Sequence, residues 1–240
     1  MKRNVIILTH GWTGSSVFTA LLTQAGYWTG DKTHLKPDYN TYENTELVKL
    51  NKQMMNELGY QGDHEHEFNY GEIKRIAQVA ETADLSVYRN FVERCQDNKP
   101  WIWKDPRLTW TIRVWAKLLP LEEIAFIILT RDDEQAWISS NLRRHIQSRR
   151  FTREYNRGIT GSLEDFLTAK HCDYLSYRFE DLLLSPEKTL GELNSFLDVE
   201  LSMEDLHRVN KGPLYRKTRD WKDMLKASAI YLKNYRERYR

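Results

Sequence analysis

Cysteine is scarce in this chain: Cys95 and Cys172 are two residues among 240. A pair so widely spaced provides neither a disulfide framework nor a zinc-ligand pattern, so a reduced, cytoplasmic compartment is the expectation. No apolar run approaches the ~20 residues that a membrane span requires. The run Val5–Leu8 is also too short for the apolar core of a signal peptide, so no stable membrane insertion is expected. Charge of one sign is lacking as well. The 36 Lys and Arg against 34 Asp and Glu leave a net charge of +2, no field for holding nucleic acid. The G-x-x-x-x-G-K-[ST] lysine of nucleotide-triphosphate loops and the G-x-G-x-x-G of nicotinamide-cofactor folds are both absent. His64 and His66 alternate with Glu65 and Glu67, but in a polar stretch that reads as a solvated loop or lid rather than a metal site. With no repeat, linker or low-complexity segment, residues 1–240 read as a single α/β domain.

The stretch that organises the chain is Val5-Ile6-Ile7-Leu8-Thr9-His10-Gly11-Trp12-Thr13-Gly14-Ser15-Ser16. Four aliphatics in a row read as a strand buried on both faces, as in a parallel sheet. Gly11 and Gly14 bracket a tight turn, and Ser15-Ser16 opens an apolar helix. Strand, glycine turn and helix N-terminus together gather backbone N–H groups and the positive end of a helix dipole, a site suited to phosphate or sulfate.

Further along, a polar loop runs to Pro37-Asp38, Asn44 is placed to cap a helix, and Gly59 to stop it. Glu72–Cys95 reads as a long amphipathic helix with an interruption near Asp84. Pro100–Trp103 is a candidate strand that ends at Lys104-Asp105-Pro106-Arg107. Ile124–Thr130 is the clearest buried strand, followed by Arg131-Asp132-Asp133 and a helix from about Glu134. Ligands of open α/β sheets sit at the carboxyl ends of strands, so Gly11, Lys104 and Arg131 converge by topology. The arginine-rich segment 147–161 reads as a solvated loop or a cover over an anionic ligand. Ser185-Pro186 reads as a helix start. Eight Trp, thirteen Tyr and eight Phe supply core, and also walls for a ring-bearing ligand.

Taken in order, these pieces resemble the sulfotransferases that use 3′-phosphoadenosine 5′-phosphosulfate (PAPS). The opening turn is similar to their 5′-phosphosulfate loop. Arg131-Asp132-Asp133-Glu134-Gln135-Ala136-Trp137-Ile138-Ser139 is similar to the 3′-phosphate motif R-[ND]-P-x-[DE]-x-x-x-S. Arg178-Phe179-Glu180-Asp181-Leu182-Leu183 through Phe196-Leu197 resembles R-Y-E-D-L…F-L. Lys104-Asp105-Pro106-Arg107 resembles the K-D-P-R of carbohydrate-type and bacterial members. Glu43, ahead of Leu50-Asn51, resembles a carboxylate of those members, and Arg216-Lys217…Asp220-Trp221 a shortened late motif.

The resemblance implies a three-layer αβα fold of the P-loop-like sulfotransferase type, with a central parallel sheet. It implies PAPS as donor, PAP as product, no metal, and a hydroxyl or amine of a small molecule, glycan or lipid as acceptor. Donor-binding candidates are Gly11, Trp12, Thr13, Gly14, Ser15, Ser16, Arg131, Ser139, Tyr177, Phe179, Arg216 and Lys217. Catalytic candidates are Glu43 or His10 as general base, with Lys104 and Arg107 as cations. One departure stands out. Related enzymes carry Lys or Arg just before the second loop glycine, where this chain has Trp12 and Thr13. Either another cation substitutes, from Lys104, Arg107 or the 149–157 arginines, or the pocket binds nucleotide without turnover.

Overall fold

The computed structural model describes residues 2–11, 13–37, 39–60, 69–210 and 220–238. Strand β1 (Asn4–Thr9) is buried along its whole length. Its alternation sends Val5 and Ile7 to one face and Ile6 and Leu8 to the other, each into a separate core cluster. The glycine turn follows, and helix α1 (Ser15–Gln24) returns along the sheet. A small antiparallel hairpin, β2 (Thr33–Leu35) with β3 (Asn40–Asn44), occupies what the sequence presents as a polar loop. Its strands are short and half exposed, so no apolar alternation announces them.

Helix α2 (Thr45–Glu57) begins where Asn44 Oδ1 accepts the N–H groups of Glu46 and Leu47, and Gly59 beyond it takes φ +65°. The interruption expected near Asp84 divides Glu72–Cys95 into two helices, α3 (Tyr70–Val79) and α4 (Ser86–Gln96). Asp84 accepts the Ser86 N–H at 2.9 Å and so starts the second. Strand β4 (Ile102–Lys104), α5 (Leu108–Trp115), β5 (Ile124–Thr130) and α6 (Asp133–Leu142) follow.

The arginine-rich segment is not a loop but the start of α7 (Arg149–Ala169). Tyr155, Ile159, Leu163 and Leu167 recur every four residues and are buried, which is what fixes it as helix. Its arginines lie on the outer side. Arg149 pairs with Glu134 and Arg150 with Glu154, while Arg153 and Arg157 face Asp133. The chain then runs through β6 (Tyr174–Arg178), α8 (Phe179–Leu184), α9 (Pro186–Leu197), α10 (Met203–Val209) and α11 (Trp221–Lys233). At α9 the proline stands at the first helical position as expected, but the Ser185 side chain makes no capping bond.

The main sheet is parallel throughout, in the order β4-β1-β5-β6. Helices α2 to α5 and α7 pack on one face, and α1 and α8 to α10 on the other. Trp101, Trp103, Trp110, Trp115 and Trp137 are all buried, so most of the tryptophan is core rather than ligand wall. Trp101 and Trp103 stack with centroids 4.7 Å apart, and Trp115 meets Trp103 edge-on at 5.0 Å.

Candidate active site

Three parallel strands end side by side at Thr9, Lys104 and Thr130, and the segments that leave them form the rim of one cleft. The Thr9 hydroxyl is 2.9 Å from the Leu129 carbonyl of β5 and also meets the Thr13 hydroxyl. These bonds fix the entry and exit of the turn. Gly14 sits at φ +73°, and a Cβ there would lie 2.4 Å from the Phe179 ring, so only glycine fits. Among the described residues no side chain caps α1, as at α4, α5 and α9, whereas Asn44, Asp132, Ser148 and Asp220 cap α2, α6, α7 and α11. The start of α1, unlike the uncapped starts of α4 and α9, lies on the cleft, where its backbone donors face the space a ligand would fill.

Lys104 is 3% exposed, and its ammonium donates to Glu43 Oε1 at 2.6 Å and to the Thr41 carbonyl at 3.2 Å. Tyr42, between these two acceptors, has φ +57° with its N–H on Asn40 Oδ1, and this kink in β3 brings both acceptors to the lysine. The lysine pairs with neither Asp132 nor Asp133. Asp132 caps α6 with its side chain, and Asp133 receives Asn156 Nδ2.

Asp105 is fully buried and holds the next turn. Its carboxylate accepts from Asn51 Nδ2 at 2.8 Å, Arg107 Nη1 at 2.8 Å and the Arg107 N–H at 3.1 Å. Asn51 Oδ1 in turn accepts from Thr111 and from the Trp115 indole, which ties α2 to α5 behind the turn. Arg107 Nε is buried without a hydrogen-bond partner among the described residues.

On the far side, Arg131 Nε donates to Glu180 Oε1 at 3.2 Å, and Glu180 Oε2 accepts the Asp132 N–H at 3.1 Å. The guanidinium also lies 5.8 Å from the centroid of the Phe179 ring. Glu180 therefore positions the arginine. Sequence reasoning gave it no role, although it stands in the Arg178–Asp181 segment already singled out.

The cleft encloses about 280 Å³. It brings together Gly11, Thr13, Gly14, Ser15 and Ser16 with Glu43, Lys104, Arg107, Arg131 and Phe179. His34 and the cations Lys36, Lys52 and Arg143 also line it, residues that no sequence motif marks. His10, Ser139 and Tyr177 are not in its wall. His10 lies behind the turn, its Nδ1 2.9 Å from the Gly11 carbonyl and its ring edge-on to Tyr155. Burial, with the Arg131 charge adding to it, pushes the imidazole down to about 4. Ser139 is buried in α6 with its hydroxyl unpartnered among the described residues. Tyr177 packs on Phe18 in the opposite layer and donates to Glu192, so burial raises its phenol. Trp12, Arg216 and Lys217, like His64 and His66, lie outside the described residues.

A profile of the sulfotransferase family matches residues 4–205 of this chain. The chain belongs to that family. Among solved structures, it is similar to the sulfotransferase domain from the Synechococcus PCC 7002 olefin synthase. The TM-score is 0.54 at 18% identity, over 94% of this chain and 84% of that one. It is also similar to the sulfotransferase domain from the curacin biosynthetic pathway, with a TM-score of 0.52 at 17% identity, over 89% and 80% of the two chains. At such identities the likeness speaks for the fold. No curated protein sequence matches the chain. Sulfotransferase membership accords with a cleft rimmed by backbone donors and cations.

Proposed function

We propose that this sulfotransferase takes PAPS as its donor and transfers the sulfuryl group to a hydroxyl or amine of a small molecule, glycan or lipid. One observation carries the reading. The uncapped start of α1, the Glu180-held Arg131 and the Lys104–Glu43 pair face a single cleft at adjacent strand ends. Two anionic ends of a nucleotide donor match two separate cationic or N–H-rich stations.

The residues present fit such a donor. The guanidinium of Arg131 on the cleft suits a ribose 3′-phosphate, and the glycine turn suits the 5′ side. When bound, the donor supplies an electrophilic sulfuryl group and an anionic phosphate leaving group. Glu43 then accepts the proton of the incoming hydroxyl. Lys104 neutralises charge that develops on the leaving oxygen, the place where a preorganised cation contributes most. Arg107, held by Asp105, adds a second cation to the same rim.

A second reading, nucleotide binding without turnover, draws on the turn itself. Thr13, where related enzymes carry a cation, is uncharged, and its buried hydroxyl is engaged by Thr9 and the His10 carbonyl. Titration with PAP and AMP tests the donor assignment: PAP should bind more tightly and raise the melting temperature further. Equal binding of the two removes the 3′-phosphate station. Turnover of PAPS against a panel of hydroxyl and amine acceptors separates the enzyme from the binding protein.

A further inference from the structure

Helix α11 has two apolar sides, and only one of them is used by the fold. Met224, Ala227 and Tyr231 pack on Trp137, Ile138 and Leu142 of α6. About 100° round the helix from that packed side, Trp221 is 63% exposed, Leu225 55% and Leu232 71%. At 3.6 residues per turn these three fall within about 40° of one another, a continuous stripe along the helix. Lys222, Lys226 and Lys233 follow on one shoulder of it, and the Lys222 ammonium lies 5.8 Å from the Trp221 ring centroid.

The charge is local. Between residues 221 and 238, Lys222, Lys226, Lys233, Arg236 and Arg238 are opposed only by Asp223 and Glu237. That excess is larger than the +2 of the entire chain. A stripe of Trp and Leu bordered by lysines is the pattern of a helix that lies in a lipid interface, apolar residues toward the acyl chains and ammonium groups among phosphates. A protein partner would need an apolar groove with an acidic rim to match it. A bilayer surface with anionic headgroups meets both demands along the whole stripe at once.

We propose that α11 docks the protein peripherally on an anionic membrane surface, through Trp221, Leu225 and Leu232 and the adjoining lysines. None of these residues lines the cleft, so the proposal is independent of the donor assignment. Among the described residues no helix is long and apolar enough to cross a membrane, and an attachment through lysines and a few apolar side chains is reversible and salt-sensitive.

The test is co-sedimentation of the full chain with vesicles of phosphatidylcholine alone and of phosphatidylcholine with phosphatidylglycerol. Binding is expected to the anionic vesicles only and to weaken as salt is raised. Leu225→Ser with Leu232→Ser should lower the partition coefficient at least tenfold. Each of Lys222→Gln, Lys226→Gln and Lys233→Gln should lower it roughly fivefold. All five positions are exposed, so circular dichroism and melting temperature should be unchanged, which separates lost docking from lost folding. No binding to anionic vesicles, or binding indifferent to these substitutions, overturns the proposal. A dimer in solution that the Leu225→Ser/Leu232→Ser variant dissolves, with no vesicle binding, assigns the stripe to a second copy of the chain and also overturns it.

Discussion

The Lys104 ammonium and the Glu43 carboxylate, the candidate cation and the candidate base, are bonded to each other at 2.6 Å. The lysine comes from a sheet strand and the glutamate from the outlying hairpin, 61 residues apart in sequence. In this arrangement the pair is a structural tie that also joins the two candidate catalytic groups.

The tie has an energetic consequence. Glu43→Ala leaves a nearly buried ammonium with only the Thr41 carbonyl, and should cost roughly 3 kcal/mol of stability in denaturant titration. Replacing both residues with apolar ones, as Lys104→Met with Glu43→Leu, should recover most of that loss while abolishing turnover. For catalysis, Glu43→Gln should lower kcat by about 10²-fold with PAP affinity retained. Lys104→Ala should lower kcat far more than it weakens PAP binding. Unchanged turnover in Glu43→Gln would move the base elsewhere.

Arg131 is held by Glu180, so the two should act as a unit. Arg131→Ala should remove most of the preference for PAP over AMP, roughly 2–4 kcal/mol if a charge-assisted pair is lost. Glu180→Gln keeps the arginine but loosens its aim, and should erode the same preference by less. Calorimetric titration of both nucleotides against the two single variants and the double reads the coupling, which should be non-additive.

At Gly14 backbone and packing make the same demand. Gly14→Ala places a methyl into the Phe179 ring at a left-handed φ, and should cost roughly 2 kcal/mol or more. Thermal melting checks this, and Phe179→Ala in the same chain should return part of the loss. If the alanine variant melts normally and binds PAP, the turn tolerates a shape different from the one described.

His10 sets a pH dependence. Its folded value of about 4 lies below the ordinary 6.5, because burial favours the neutral ring. Between those values the unfolded chain holds the proton and the folded chain does not, so stability falls as pH drops through that window. The loss amounts to roughly 3 kcal/mol by pH 4, and none of it is felt above about pH 7. Melting curves across pH 4–7 should show it, and His10→Gln should flatten the slope. A ring buried in this way is neutral at pH 7 but lies behind the turn, which leaves Glu43 as the carboxylate on the cleft.

What the sequence alone determined is the part written in consecutive residues. The Val5–Leu8 and Ile124–Thr130 strands, the Gly11–Gly14 turn, the Asn44 cap and the Gly59 stop each follow from local periodicity or from one residue's backbone preference. Lys104 and Arg131 could be placed at strand ends because parallel order fixes where those ends lie. The tertiary structure decided what those side chains meet. That Lys104 pairs with Glu43, that Glu180 holds Arg131, and that Asn51 supports Asp105 are contacts between segments 49 to 61 residues apart, and no local pattern encodes them. It also decided that the 149–157 arginines ride on a helix, since the residues that make it one, Tyr155 to Leu167, act only once the sheet is there to bury them.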